Sequence, residues 1–278
     1  MIRCVQTRLF AVIGHPVKHS LSPAMMNAAF RALDIPAFYL ALEVSDFLED
    51  MKHITALGFD GLSVTIPHKE SAMKLAVVDD EAARAIGAVN CLKRVDDVWR
   101  GKNTDWIGVV DSFKSRGIDI SGKKALVLGA GGAARGVIYA ALKMGAEVTV
   151  VNRTDEKAFS LADEFGINAV EHKSLKERVC DFQVVFQTTP VGMNGYPVEH
   201  FWPYDIFRPG MIVMDLVYRP AKTAFMKSAE ERGCTVISGL DMLLYQGVAQ
   251  FEWWFDRPAP LEAMKKALYE AAEQDDHV

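Results

Sequence analysis

Short apolar runs alternate with amphipathic helical stretches along almost the whole chain, the pattern of an α/β protein with mostly parallel sheets. In the first third, Leu9-Phe10-Ala11-Val12-Ile13 reads as a strand closed by Gly14. A helix is expected after Ser22-Pro23, with Ser22 as N-cap and Pro23 in the first turn, where its missing N–H leaves no helical bond unmade. Further strands are predicted at Ala37 to Leu42, Leu62 to Ile66 and Ala88 to Leu92, with helical segments between them.

The pattern restarts after a loop at Gly101-Lys102-Asn103-Thr104-Asp105. Trp106 to Ser115 reads as helix, Ala125 to Leu128 as a buried strand, Gly129 to Ala134 as a glycine-rich turn and Arg135 to Met144 as helix. Glu147 to Val151 is the next strand, followed by a helix through Glu164; Val184 to Phe186, Met211 to Met214 and Thr235 to Ile237 complete the sheet. Two helices, Met242 to Phe255 and Pro260 to Ala272, end the chain, with Pro258 and Pro260 breaking between them. The expectation is two α/β domains: residues 1–104, completed by 239–278, and a Rossmann-like unit at 105–238. The C-terminal helices add no strand and pack back on the first domain.

A chain of 278 residues with 50 % hydrophobic side chains can bury a core in each of two domains. Its charge of -5 gives no bulk electrostatic reason to expect nucleic acid as partner. Met1 to Thr7 lacks the apolar run of a signal peptide, and no stretch approaches the ~18 apolar residues of a membrane span. A cytoplasmic protein without a membrane partner, monomeric or homodimeric, is expected. Cys4, Cys91, Cys180 and Cys234 are scattered without a CxxC pair, which fits small buried hydrophobes in a reducing compartment. No metal site is expected.

Gly129-Ala130-Gly131-Gly132-Ala133-Ala134 fits GxGxxG/A directly after a buried strand and at the opening of a helix. A tight turn there brings backbone N–H groups and a helix N-terminus onto a pyrophosphate, where side chains would block the approach. At the end of the second strand, where an NAD site carries an Asp or Glu, stand Asn152-Arg153-Thr154. A carboxylate would repel a 2′-phosphate; Arg153 can pair with one, and Asn152 and Thr154 can add neutral hydrogen bonds. The dinucleotide expected is therefore NADP.

Three segments of the first domain put polar groups at strand ends, where α/β sheets bind ligands. His19-Ser20-Leu21-Ser22-Pro23 sets two hydroxyls beside a helix N-terminus, a neutral site for a carboxylate. Ser63-Val64-Thr65-Ile66-Pro67-His68-Lys69 is a strand that ends at proline and delivers Lys69 to the sheet edge. Gly87-Ala88-Val89-Asn90 and Asn103-Thr104-Asp105 add a carboxamide and a carboxylate.

Taken together these segments resemble the shikimate dehydrogenase family over nearly the whole chain. The likeness runs through HSxSP at His19, VTxPxK at Val64, GAVN at Gly87, NTDxxG at Asn103, GAGGAA at Gly129, NRT at Asn152, TTPVGM from Thr188 to Met193, and GLxMLxxQ from Gly239 to Gln246. The resemblance implies a substrate-binding first domain and reversible NADPH-linked reduction of 3-dehydroshikimate to shikimate, a step toward aromatic amino acids. It implies that Ser20 and Ser22 hold the substrate carboxylate, that Thr65, Asn90, Asp105 and Gln246 contact its hydroxyls, and that Lys69 is the acid/base with Asp105 as partner. Tyr218, Met193 and Gly239 would lie near the nicotinamide, and Thr188 belongs to the cofactor segment.

Two positions depart from the commonest family pattern. Ser63 stands where an Asn usually precedes VTxPxK, and Met26 where a His often precedes Asn27. These leave shikimate against quinate open. A quinate/shikimate dehydrogenase of the same fold is one alternative. The other is a non-catalytic nucleotide-binding regulator, which should carry a broken Lys69/Asp105 pair or an added basic segment; the sequence has neither.

Overall fold

The computed structural model describes residues 7–178, 181–196, 202 and 206–275; Cys4 and Cys180 lie outside the described residues. The chain divides into two compact units, Met1–Thr104 with Gln246–Ala271 and Asp105–Tyr245 with Ala272–Val278.

The first unit contains β1 (Arg8–Gly14), α1 (Ser22–Ala32), β2 (Ala37–Glu43), α2 (Phe47–Ala56), β3 (Gly61–Val64), α3 (Lys69–Leu75), α4 (Glu81–Ile86), β4 (Cys91–Val95) and β5 (Val98–Lys102). Its sheet has the order β2-β1-β3-β4-β5. β1 pairs parallel with both β2 and β3, so its last five residues are buried, as a strand covered on both faces must be. β4 and β5 close the sheet as an antiparallel hairpin where the sequence predicted one strand and a loop. The turn is made by Asp96 and Asp97, with φ of 49° and 62°, the left-handed pair that a two-residue hairpin needs.

Ser22 is not the N-cap of α1: Leu21 occupies that position and no side chain caps the helix. The Ser20 hydroxyl, two residues before the expected cap, instead accepts from the Ser22 N–H at 3.3 Å, and Ser22 itself is buried. Asn27 ties α1 to the sheet. Its amide donates to the Tyr39 carbonyl (2.8 Å) and accepts from the Tyr39 N–H (2.9 Å), on the outer side of edge strand β2. Met26 is fully buried beside it.

The second unit starts with α5 (Asp105–Lys114) and runs through β6 (Lys124–Leu128), α6 (Gly132–Lys143), β7 (Glu147–Val151), α7 (Asp155–Phe165), β8 (Asn168–Ala169), α8 (Leu175–Arg178), β9 (Val184–Gln187), β10 (Ile212–Asp215), α9 (Ala224–Glu231) and β11 (Thr235–Ser238). The order β11-β10-β9-β6-β7-β8, parallel throughout, is the doubly wound dinucleotide fold, with its crossover point between β6 and β9. Alternation along the strands fills two cores. Ala125, Val127, Val184 and Phe186 face the layer of α5 and α6, while Leu126, Leu128, Val151 and Val185 face Phe207 and Phe225.

Helix α10 (Gly239–Phe255) follows β11, and α11 (Leu261–Asp275) follows it. The second half of α10 packs into the first unit: Trp254 lies 4.9 Å from Phe10, ring to ring, and its indole N–H donates to the Leu92 carbonyl at 3.0 Å. Among the described residues no helix is long and apolar enough to cross a membrane.

Candidate active site

The C-terminal ends of β1 and β3 meet in one backbone junction. Thr65 donates to Ile13, and His15 to the Ile66 carbonyl, both at 2.9 Å. Pro67 has no N–H with which to extend the ladder, so β3 stops at Val64, two residues short of the predicted end. Lys69 is therefore not at a strand end but is the first residue of α3. Two bonds fix its backbone: the Lys69 carbonyl accepts from Val89 at 3.0 Å, and the preceding His68, buried, bonds through Nε2 to the Val44 carbonyl at 2.7 Å.

Asn90, just before β4, is 2 % exposed. Its Oδ1 accepts from the Thr104 N–H at 2.6 Å, and its Nδ2 donates to the Thr104 hydroxyl (3.0 Å) and to Gln246 Oε1 (3.4 Å). Gln250, one helical turn beyond Gln246, donates to the same Oε1 at 2.8 Å and to the Asn90 carbonyl at 3.3 Å. Ser63 donates to Gln250 Oε1, and the Tyr39 phenol donates to Ser63 at 2.6 Å. Every side chain of this network is buried. The sequence pointed to Asn90 and Gln246 but missed Gln250 and Tyr39; a second glutamine four residues on, within a largely apolar helix, was the available signal for Gln250. Asn103 is held by its own bond to Ala88 (2.9 Å), and Asp105, also buried, opens α5 in the second unit.

In the second unit the glycine turn sits at the crossover point. Gly129 has φ of 115°, and a Cβ there would lie 2.7 Å from the Thr188 hydroxyl, so β6 and β9 close together only with glycine at this place. Thr188 in turn donates to the Leu128 carbonyl at 2.8 Å. Among the described residues, no heavy atom beyond the chain neighbours and the helix's own backbone lies within 4 Å of the ideal Cβ positions of Gly131 and Gly132, at the start of α6. Ala130 and Ala133 flank them, partly exposed. This open cradle at a helix N-terminus fits a pyrophosphate.

At the end of β7 the Asn152 amide donates to the Thr154 carbonyl (3.0 Å), closing the turn on which Arg153 is exposed. Thr154 precedes α7 without a side-chain cap bond. Arg135 is engaged elsewhere, in a two-pronged pair with Glu164. Gln187, buried at the end of β9, shapes the following loop by donating to the Thr189 and Val191 carbonyls at 2.9 and 3.0 Å. Met193 lies exposed farther along it.

Asp215 ends β10 fully buried. It accepts from the Val217 N–H (3.0 Å) and the Thr223 hydroxyl (2.6 Å), which pins the segment carrying Tyr218. Burial raises its carboxyl to about 7 against the two hydrogen bonds that favour the anion. Burial also pushes the Tyr218 phenol up, with Arg219 opposing, so Tyr218 stays neutral around pH 7. Gly239 rests on the same segment: a Cβ there would sit 2.5 Å from the Leu216 carbonyl oxygen. Gly239→Ala should therefore lower stability by about 1–3 kcal/mol, visible as an earlier thermal unfolding transition. An unchanged midpoint would show that the helix start can shift without cost. Among the described residues there is no cluster of three or more His, Cys, Asp or Glu able to hold a metal.

Comparison with known proteins gives consistent matches. The shikimate dehydrogenase substrate-binding domain matches residues 12–92, the shikimate/quinate 5-dehydrogenase family residues 112–193, and the shikimate 5'-dehydrogenase C-terminal domain residues 239–269. The NADP(+) shikimate dehydrogenase of Syntrophobacter fumaroxidans is 47 % identical, over 99 % of this chain and 98 % of that enzyme. The crystal structure of shikimate dehydrogenase from Aquifex aeolicus superposes with a TM-score of 0.89 at 39 % identity, covering 96 % of this chain and 99 % of that one. Shikimate 5-dehydrogenase from Thermus thermophilus, in complex with NADP(H) and shikimate, gives 0.85 at 36 %, covering 95 % and 99 %.

Proposed function

The chain belongs to the shikimate dehydrogenase family, and we infer from that premise that it is an NADP-dependent oxidoreductase of CH–OH groups that interconverts 3-dehydroshikimate and shikimate. The observation that carries the reading is the buried polar network around Asn90 and Gln246, which offers oriented amides at the start of β4 and within α10. A hydroxylated ring acid is the class of ligand such groups suit.

In this reading Ser20 and Ser22 hold the carboxylate, and Thr65, Asn90, Asp105 and Gln246 meet the ring hydroxyls. Gly129, Ala130, Gly131, Gly132, Ala133 and Thr188 receive the pyrophosphate side of NADP, while Asn152, Arg153 and Thr154 receive its 2′-phosphate. Tyr218, Met193 and Gly239 border the nicotinamide. Bound NADP(H) supplies or accepts the hydride. Lys69 holds the proton that the carbonyl oxygen takes as it becomes a hydroxyl, and takes it back in the oxidative direction. Asp105 keeps the ammonium in place. The enzyme works in the cytoplasm, as a monomer or homodimer, on a small acid with no nucleic-acid or membrane partner.

Reduced-nicotinamide absorbance decides the reading: shikimate with NADP should turn over far faster than quinate or NAD combinations. Activity confined to quinate and NAD would overturn it. Arg153→Ala should raise KM for NADP by about one to two powers of ten, the value of a lost charge-assisted hydrogen bond, and leave KM for NAD nearly unchanged. Equal losses for both dinucleotides would mean that Arg153 does not read the 2′-phosphate.

A further inference from the structure

We propose that Gln250 is a positioning residue that sets which end of the Gln246 amide meets the substrate; the proposal rests on Gln246 being a substrate contact. An amide can turn end for end, so its direction must be fixed by groups that cannot. Two backbone groups do this. The Asn90 carbonyl only accepts, so the end of Gln250 lying 3.3 Å from it is the amino group, and its Oε1 is left to accept from Ser63. The Thr104 N–H only donates, so the Asn90 end at 2.6 Å from it is the oxygen, and the Asn90 amino group faces Gln246.

Both constraints reach Gln246 with the same sign. Two amino groups, from Gln250 at 2.8 Å and Asn90 at 3.4 Å, converge on one Gln246 atom, which must be the oxygen. The donor end of Gln246 is thereby the end presented to ligand, and the substrate atom that meets it is an acceptor, a hydroxyl or ketone oxygen using its lone pairs. Tyr39 donates to Ser63 and Ser63 donates to Gln250 Oε1, which completes the relay, so the two ends of Gln250 stay satisfied in one direction only. Ser63 thus has a specific use at the position where the family usually carries Asn.

The test is a double-mutant cycle on shikimate KM. Gln250→Glu keeps the shape and the bond from Ser63 but removes the donor to Gln246; Gln250→Met removes both polar ends at similar length. Each should raise KM for shikimate about tenfold, change kcat less, and leave KM for NADP unchanged. In a Gln246→Ala background neither should raise it further. Equal factors in both backgrounds would overturn the positioning role, whereas Gln246→Ala with normal KM would overturn Gln246 as a substrate contact. Amide exchange in the 15N-labelled wild type gives a readout that needs no Gln250 variant to fold. The Gln250 side-chain NH2 pair should be protected with or without shikimate, and the Gln246 pair should shift on its addition. Rapid exchange at Gln250 would overturn the proposal.

Discussion

Lys69→Ala should lower kcat by about two to four powers of ten, the usual contribution of a positioned general acid, while the affinity for NADP stays within about twofold. The separation follows from placement. Lys69 opens α3 in the first unit, whereas the glycine turn, Thr188 and Arg153 all belong to the second. Its loss should leave the local fold intact, because the bonds described for this turn do not run through the Lys69 side chain: Val89 to the Lys69 carbonyl, the His68 N–H to Thr65, and the His68 ring to Val44. Asp105→Asn should also cut kcat. The double variant should be little worse than the more damaged single one, since residues that serve one proton transfer do not contribute independently. Single-turnover rates with NADPH, and dinucleotide titration followed by fluorescence, check both halves. Turnover within about tenfold of wild type for Lys69→Ala would remove it as the acid.

A second large effect concerns stability rather than turnover. The Asp215 carboxyl, ordinarily near 3.8, is raised to about 7 because it is buried, while an unfolded chain releases the proton near its ordinary value. Below about pH 4 both states are protonated and the group is neutral in its effect. Between about 4 and 7 the native state binds more protons than the unfolded one, so stability from this group falls as pH rises, and above 7 the loss is complete. Its full size is on the order of 4 kcal/mol. Other carboxylates confound the raw curve, so the comparison is with Asp215→Asn: the stability difference between the two proteins should move in the variant's favour from pH 4.5 to 7.5. A pH-independent difference in urea unfolding would show that Asp215 is already ionised in the native state.

Much of this was legible in advance for a physical reason. Strands buried on both faces leave uninterrupted apolar runs such as Ala125 to Leu128, and the turn after one must be glycine wherever strands close as tightly as β6 and β9 do. The β4–β5 hairpin was not legible. Val98-Trp99-Arg100-Gly101-Lys102 is short and charged, and its turn is built by two aspartates in a conformation that glycine or asparagine usually advertises. Asp215 was hidden for a different reason: its segment drew notice for Tyr218, and nothing local distinguishes a buried carboxylate from one that meets water. Gln187 and Gln250 escaped likewise, since their partners are backbone carbonyls and side chains brought close only by the fold.

The bond that Asn27 makes to Tyr39 has a consequence for behaviour at high concentration. Strand β2 is seven residues long and lies at the sheet edge among the described residues, and it exposes Phe38 and Leu40, a combination that invites a neighbouring molecule to add itself as the next strand. By occupying the outward N–H and carbonyl of Tyr39, the third residue of the strand, the asparagine removes one rung of that template, so an intruding chain cannot zip along its full length. A side chain that looks like helix packing is thus also a guard against fibrous self-assembly.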